Sequence, residues 1–178
     1  GRRFCCGLAE FGANIVVADV DFDAASELAG YLKNTYEART LALSCDVSDQ
    51  KSVQKMIVHV ISEFGEINIL HNNAACKSED LNAFFAPFEE YSIEQWRQIM
   101  SVNLDGMFLV AQAVGKQMIL QEKGGSIIQT ASIYGVMAPD QRIYENSFYM
   151  GRQINTPAIY ATSKAGVIGL TKYLASYW

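Results

Sequence analysis

Four short apolar runs punctuate this chain, and helical-period stretches of ten or more residues lie between them. The runs are "NIVVADV" at 14–20, "TLALS" at 40–44, "INIL" at 67–70 and "SIIQT" at 126–130. Strands that recur only after a helix cannot form hairpins with one another. They need crossover connections, which are right-handed and lay helices over both faces of a parallel sheet. The pattern predicts an α/β fold with a doubly wound parallel sheet, as one domain over residues 1–178 without linker or repeat. Local signals mark the boundaries. Gly12 closes "RRFCCGLAEF", Ser48 caps "DQKSVQKMIVHVISEF", and Gly65 ends it. Ser92 and Gln95 open a capping box for a long helix reaching about Gln121, and Gly124-Gly125 break it. A last helix is expected from about Ala158.

In such sheets ligands gather beyond the carboxyl ends of the strands, where the strand order reverses. Asp19 follows the first run, Asp46 and Val47 the second, Asn72 to Ala75 the third and Ser132 the fourth. Core packing gives no reason for polar groups to cluster there. Other functions are harder to place. A net charge of −5 and pI near 5.0 offer no basic footprint for nucleic acid. No apolar run reaches membrane-spanning length. Cys5, Cys6, Cys45 and Cys76 lack ligand or disulfide-motif spacing, which suits free thiols in a cytoplasmic protein. "DVDFD" at 19–23 starts like a calcium loop, but Ala24 and Gly30 occupy the positions that need Gly and Glu. No metal is expected. Near the end, "YATSK" places Tyr160 and Lys164 on one helical face. That spacing alone leaves a catalytic pair and an ordinary amphipathic face both open.

Taken together, "VVADVD", "CDVSD", "NNAA", "VNLDGMF", "TASIYG" and "YATSK" stand in the order and near the spacing of the short-chain dehydrogenase/reductase family, which this chain resembles over nearly its whole length. The resemblance implies a Rossmann-like fold and a nicotinamide-dependent oxidoreductase whose catalytic tetrad is Asn103, Ser132, Tyr160 and Lys164. Tyr160 would be the acid/base and Lys164 the cation that favours phenolate and also binds the nicotinamide ribose. Ser132 would hydrogen-bond the substrate oxygen, and Asn103 would interrupt the long helix and hold a water relaying protons between Lys164 and solvent. Asp19 would accept the adenosine-ribose hydroxyls, making NAD the expected cofactor over NADP. Asp46 and Val47 would contact adenine, while Asn72, Asn73 and Ala74 line the cofactor.

Two departures stand out. Ala75 replaces the glycine of the family's "NNAG", a strain if that position requires positive φ. Ser132 and Tyr160 lie 28 positions apart, farther than in most members, which makes an insertion around 136–157. Its Arg142, Tyr144, Glu145, Asn146, Tyr149, Arg152, Gln153 and Asn155 suit a hydroxyl-rich or anionic substrate such as a sugar derivative. The loop resembles one in members associated with bacterial surface-carbohydrate synthesis. A 3-oxoacyl reductase and a non-catalytic dinucleotide sensor are the alternatives. Family members usually form dimers or tetramers. Finally, 18 positions separate Gly1 from Asp19, which makes Gly1 the last glycine of the family's T-G-x-x-x-G-x-G loop. The resemblance thus implies a fragment, with a first strand before Gly1 and two further strands after Trp178.

Overall fold

A computed structural model describes residues 1–78 and 80–178. The chain forms two compact units, residues 1–74 with 109–128 and residues 75–108 with 129–178. The first unit begins with α1 (Arg2–Glu10), β1 (Ile15–Asp19), α2 (Phe22–Tyr36), β2 (Thr40–Ser44) and α3 (Gln50–Phe64). Gly12 and Gly65 adopt φ of +84° and +81°, so both end their helices in the left-handed conformation that glycine takes without strain. The caps fall on aspartates. Asp21 accepts the Ala24 N–H to start α2. Asp49, rather than Ser48, starts α3. The Ser48 N–H and hydroxyl both donate to Asp46, so this serine serves the preceding turn instead.

β1 and β2 pair in parallel from Ile15↔Thr40 to Asp19↔Ser44, which brings their carboxyl ends level. Ile15 and Val17 of β1 pack with Leu28 and Leu32 of α2. A second cluster joins Cys45, Val53, Met56 and Val60 to Val110, Val114 and Met118 of α6 (Met107–Leu120). The third strand starts later than expected: β3 spans Ile69–Asn72 and pairs with β4 (Ser126–Gln129). The reason is local. The Gln121 amide holds both the N–H and the carbonyl of Ile67, at 3.1 and 2.6 Å, and thereby removes that residue from the ladder. Among the described residues no ladder joins the β1–β2 pair to the β3–β4 pair.

The second unit contains α4 (Leu81–Phe84), α5 (Ile93–Met100) and α7 (Ala158–Tyr177). Ser92 caps α5 through the Gln95 N–H, as the capping box predicts. The long helix is interrupted at Asn103, as the resemblance implies. Residues Ser101–Gly106 form a π turn before α6 begins. The insertion carries structure of its own. A 3-10 turn over Gln141–Tyr144 is followed by an antiparallel hairpin of β5 (Phe148–Tyr149) and β6 (Arg152–Gln153). Met150 and Gly151 both have positive φ, 50° and 76°, the pairing that a two-residue hairpin turn needs.

Candidate active site

Helix α7 is the scaffold of the second unit. Pro157, with φ of −66°, precedes it and stops any helix from continuing across the junction. Ile159, Ser163, Lys164 and Val167 recur at helical spacing and form its buried side. Two of those four are polar, an unusual investment for a packed face. The Ser163 hydroxyl donates to the Tyr160 carbonyl at 2.9 Å. Lys164 is only 3% exposed, and its ammonium donates to the Thr130 carbonyl at 2.8 Å. Burial pushes its pKa below the ordinary lysine value, since the charged form loses hydration. Tyr160 is partly exposed, one helical turn before Lys164.

Ser132 lies just past β4 and caps a 3-10 turn over Ile133–Gly135. Its Oγ accepts the Tyr134 N–H at 3.2 Å. With a lone pair so engaged, the hydroxyl proton remains available to donate. The turn packs against α7, and Gly135 is what allows it. A Cβ there would stand 2.6 Å from the Lys164 carbonyl carbon and oxygen. Asn103 is buried in the π turn, which also packs against α7. Its amide is committed to one peptide: Oδ1 accepts the Cys76 N–H at 2.8 Å and Nδ2 donates to the Cys76 carbonyl at 3.2 Å. The second unit therefore gathers Asn103, Ser132, Tyr160 and Lys164 around one helix. Thr130, Tyr134, Gly135 and Cys76 join them, although none was assigned a role from the sequence. Three of these, Thr130, Tyr134 and Gly135, lie inside "TASIYG".

The first unit carries the residues assigned to the cofactor. Asp19 is exposed at the end of β1, and one of its oxygens accepts the Asp21 N–H at 3.2 Å. Asp21 caps α2, so Asp19 is not spent on that task. Asp46 is exposed beyond β2, and Val47 beside it is partly buried. Asn72 is buried at the end of β3, with Asn73 and Ala74 partly buried after it. Gly1 heads α1, which has no side-chain cap and no acidic residue in its first turn. A Cβ on Gly1 would lie 3.9 Å from Asn73 Nδ2. Ala75 is absent from the positive-φ residues, so the strain expected of it does not arise. Among the described residues no group of His, Cys, Asp and Glu could hold a metal ion, and no helix is long and apolar enough to cross a membrane.

A family model described as short chain dehydrogenase matches residues 1–178. The chain belongs to the short-chain dehydrogenase family. It is 36% identical over 178 residues to a D-threitol dehydrogenase of Mycolicibacterium smegmatis, covering 100% of this chain and 60% of that protein. A solved short-chain type dehydrogenase/reductase from Mycobacterium marinum superposes with a TM-score of 0.84 at 30% identity, over 99% of this chain and 64% of that one. An NAD+-bound xylitol dehydrogenase superposes with a TM-score of 0.82 at 29% identity, over 98% and 59%. The chain thus spans about three fifths of the length of these relatives. Its fold is the α/β, Rossmann-like fold of the family.

Proposed function

We propose that this chain is the greater part of an NAD-dependent oxidoreductase that interconverts a secondary alcohol and its ketone, with a polyhydric alcohol or sugar derivative as substrate. The observation that carries this reading is the arrangement on α7. A buried lysine held by the Thr130 carbonyl sits one turn from Tyr160, and Ser132, with a proton to donate, caps the turn packed on the same helix. The relatives named for threitol and xylitol support the substrate class. An exposed Asp19, free of capping duty, suits a ribose diol and repels a 2′-phosphate, which favours NAD over NADP. The uncapped N-terminus of α1, beside Asn73, likewise suits a pyrophosphate.

Bound NAD supplies the hydride acceptor. The protein's own groups manage the proton. Ser132 donates to the substrate oxygen and orients it. Tyr160, as phenolate, takes the hydroxyl proton while the C–H bond breaks and the carbonyl forms. Lys164 supplies the cation that favours phenolate, and burial makes its own proton easier to release. Asn103, bonded to the Cys76 peptide through one N–H and one lone pair, keeps a further N–H and lone pair with which to hold the relaying water. Exposed Ile93, Phe108, Tyr173 and Tyr177 suit a homodimer or homotetramer.

The test is a screen of purified full-length protein against polyols, sugars and 3-oxoacyl compounds with NAD(H) and NADP(H), read by nicotinamide absorbance. Turnover of polyols with NAD is expected. NAD binding with no turnover of any substrate would instead favour a non-catalytic sensor.

A further inference from the structure

The mechanism uses Ser132, Tyr160 and Lys164, yet a chain of three further hydroxyls runs from the catalytic turn into the insertion. The Tyr134 and Tyr144 hydroxyls lie 3.4 Å apart, and the Tyr144 hydroxyl is 2.6 Å from Thr156 Oγ1. All three side chains are partly buried. We propose that Tyr134, backed by Tyr144 and Thr156, is a specificity-determining residue that binds a second hydroxyl of a polyhydric substrate.

Three observations support this assignment. Tyr134 is tied to the catalytic serine by its own N–H, and the turn that carries it is seated on α7 by Gly135. The hydrogen bond to Tyr144 and burial raise the Tyr134 pKa above the ordinary phenol value. Tyr134 therefore stays neutral at physiological pH, able both to donate and to accept, as a substrate hydroxyl requires. The two contacts in the chain also differ in kind. At 2.6 Å the Tyr144–Thr156 contact is a full hydrogen bond, whereas 3.4 Å is long for a pair of hydroxyls. Tyr144 is thus anchored, and Tyr134 is the end that exchanges its partner at little cost.

The backing is rigid enough to matter. The Gln141 amide donates to the Thr156 carbonyl at 3.0 Å, and the Asn155 amide donates to the Phe85 carbonyl at 3.0 Å. The Lys77 ammonium stands 5.5 Å over the Tyr149 ring of the hairpin. The first contact closes the insertion on itself, and the other two tie its end and its hairpin to Phe85 and Lys77, so Tyr144 reaches Tyr134 from a braced segment.

This inference rests on the dehydrogenase reading, and its test separates the two. Full-length protein and its Tyr134→Phe and Tyr144→Phe variants are assayed with NAD on butan-2-ol, butane-2,3-diol and butane-1,2,3,4-tetrol. Tyr134→Phe should lower kcat/KM for the diol or tetrol roughly threefold to tenfold, the loss of one uncharged hydrogen bond, and change butan-2-ol by less than about twofold. Tyr144→Phe should show a smaller loss of the same selectivity. Calorimetry of the tetrol on Tyr160→Phe, with and without Tyr134→Phe, should show the same weakening without turnover. Equal losses on all three alcohols, or none, would overturn the inference and leave the dehydrogenase reading standing. No turnover of any alcohol by the unsubstituted protein overturns both.

Discussion

At the scale of single residues, Lys164 is the most expensive group in the second unit. A buried ammonium is tolerated only with a partner, and here that partner is the Thr130 carbonyl. Its folded-state pKa lies below its unfolded value, so the native state binds fewer protons in the interval between them. The unfavourable contribution is complete below the lowered value and disappears as pH rises to the ordinary 10.5. Replacing Lys164 by Met should therefore stabilise the fold near neutral pH, with the gain shrinking as pH approaches that of a normal lysine; chemical denaturation across pH measures this. The same variant should be inactive. Tyr160→Phe should lower kcat at least about a hundredfold while NAD binding by calorimetry is retained, because the ring stays and only the acid/base group goes. Retention of more than about a tenth of kcat would remove Tyr160 from the role of base. At Asp19, replacement by Ala together with an arginine at Val20 should shift the kcat/KM ratio toward NADP, since a repulsion is removed and a phosphate partner added. Unsubstituted protein that used both cofactors equally would contradict this role for Asp19.

Among the elements, the 3-10 turn after β4 decides how Ser132, the proposed substrate-oxygen donor, meets α7. Its closeness depends on the missing side chain at Gly135, because the atoms a Cβ would meet are backbone and cannot rotate away. Gly135→Ala should cost about 1–3 kcal/mol, as overpacking does, and should lower kcat more than it raises KM. Thermal melting and steady-state kinetics read the two effects separately. By contrast, Gly166→Ala meets only the end of the Leu104 side chain, at 2.8 Å, so that neighbour can move and the effect should be milder. The π turn at Ser101–Gly106 belongs to the same logic. A widened turn sacrifices regular helix bonding to aim the Asn103 amide at the Cys76 peptide.

For the molecule as a whole, the strand pairing leaves edges that matter for association. β1 is paired to β2 and β3 to β4, with no ladder between the pairs among the described residues. Strand edges left in this state are templates for association, and Phe11 and Val20 add exposed apolar surface nearby in sequence. The 178-residue chain should therefore associate, as light scattering would show. A monodisperse sample with a cooperative melting transition would show that these edges are satisfied in some other way.

The strand–helix alternation and the motif set were enough to specify the fold class, because periodicity and crossover geometry are properties of the chain that packing does not reverse. The four proposed site residues came from the resemblance and not from periodicity, and the structure places Ser132 past a strand end, Asn103 in the π turn, and Tyr160 and Lys164 one turn apart on α7. Boundaries that depend on a distant partner were not legible. β3 starts at Ile69 because Gln121, remote in sequence, captures the Ile67 peptide. The break of the long helix at Asn103 was legible through the resemblance, but its form as a π turn with Asn103 buried against Cys76 was not. The hairpin at 148–153 gave only a two-residue pairing signal, too short for a period. Asn103 could be named from the resemblance as a water-holding residue, but only tertiary contacts show its amide bonded to the Cys76 peptide. Tyr134 and Gly135 make the sharpest case. A tyrosine's role depends on which hydroxyl it meets and a glycine's on which backbone approaches it, and both neighbours come from segments that only folding brings close.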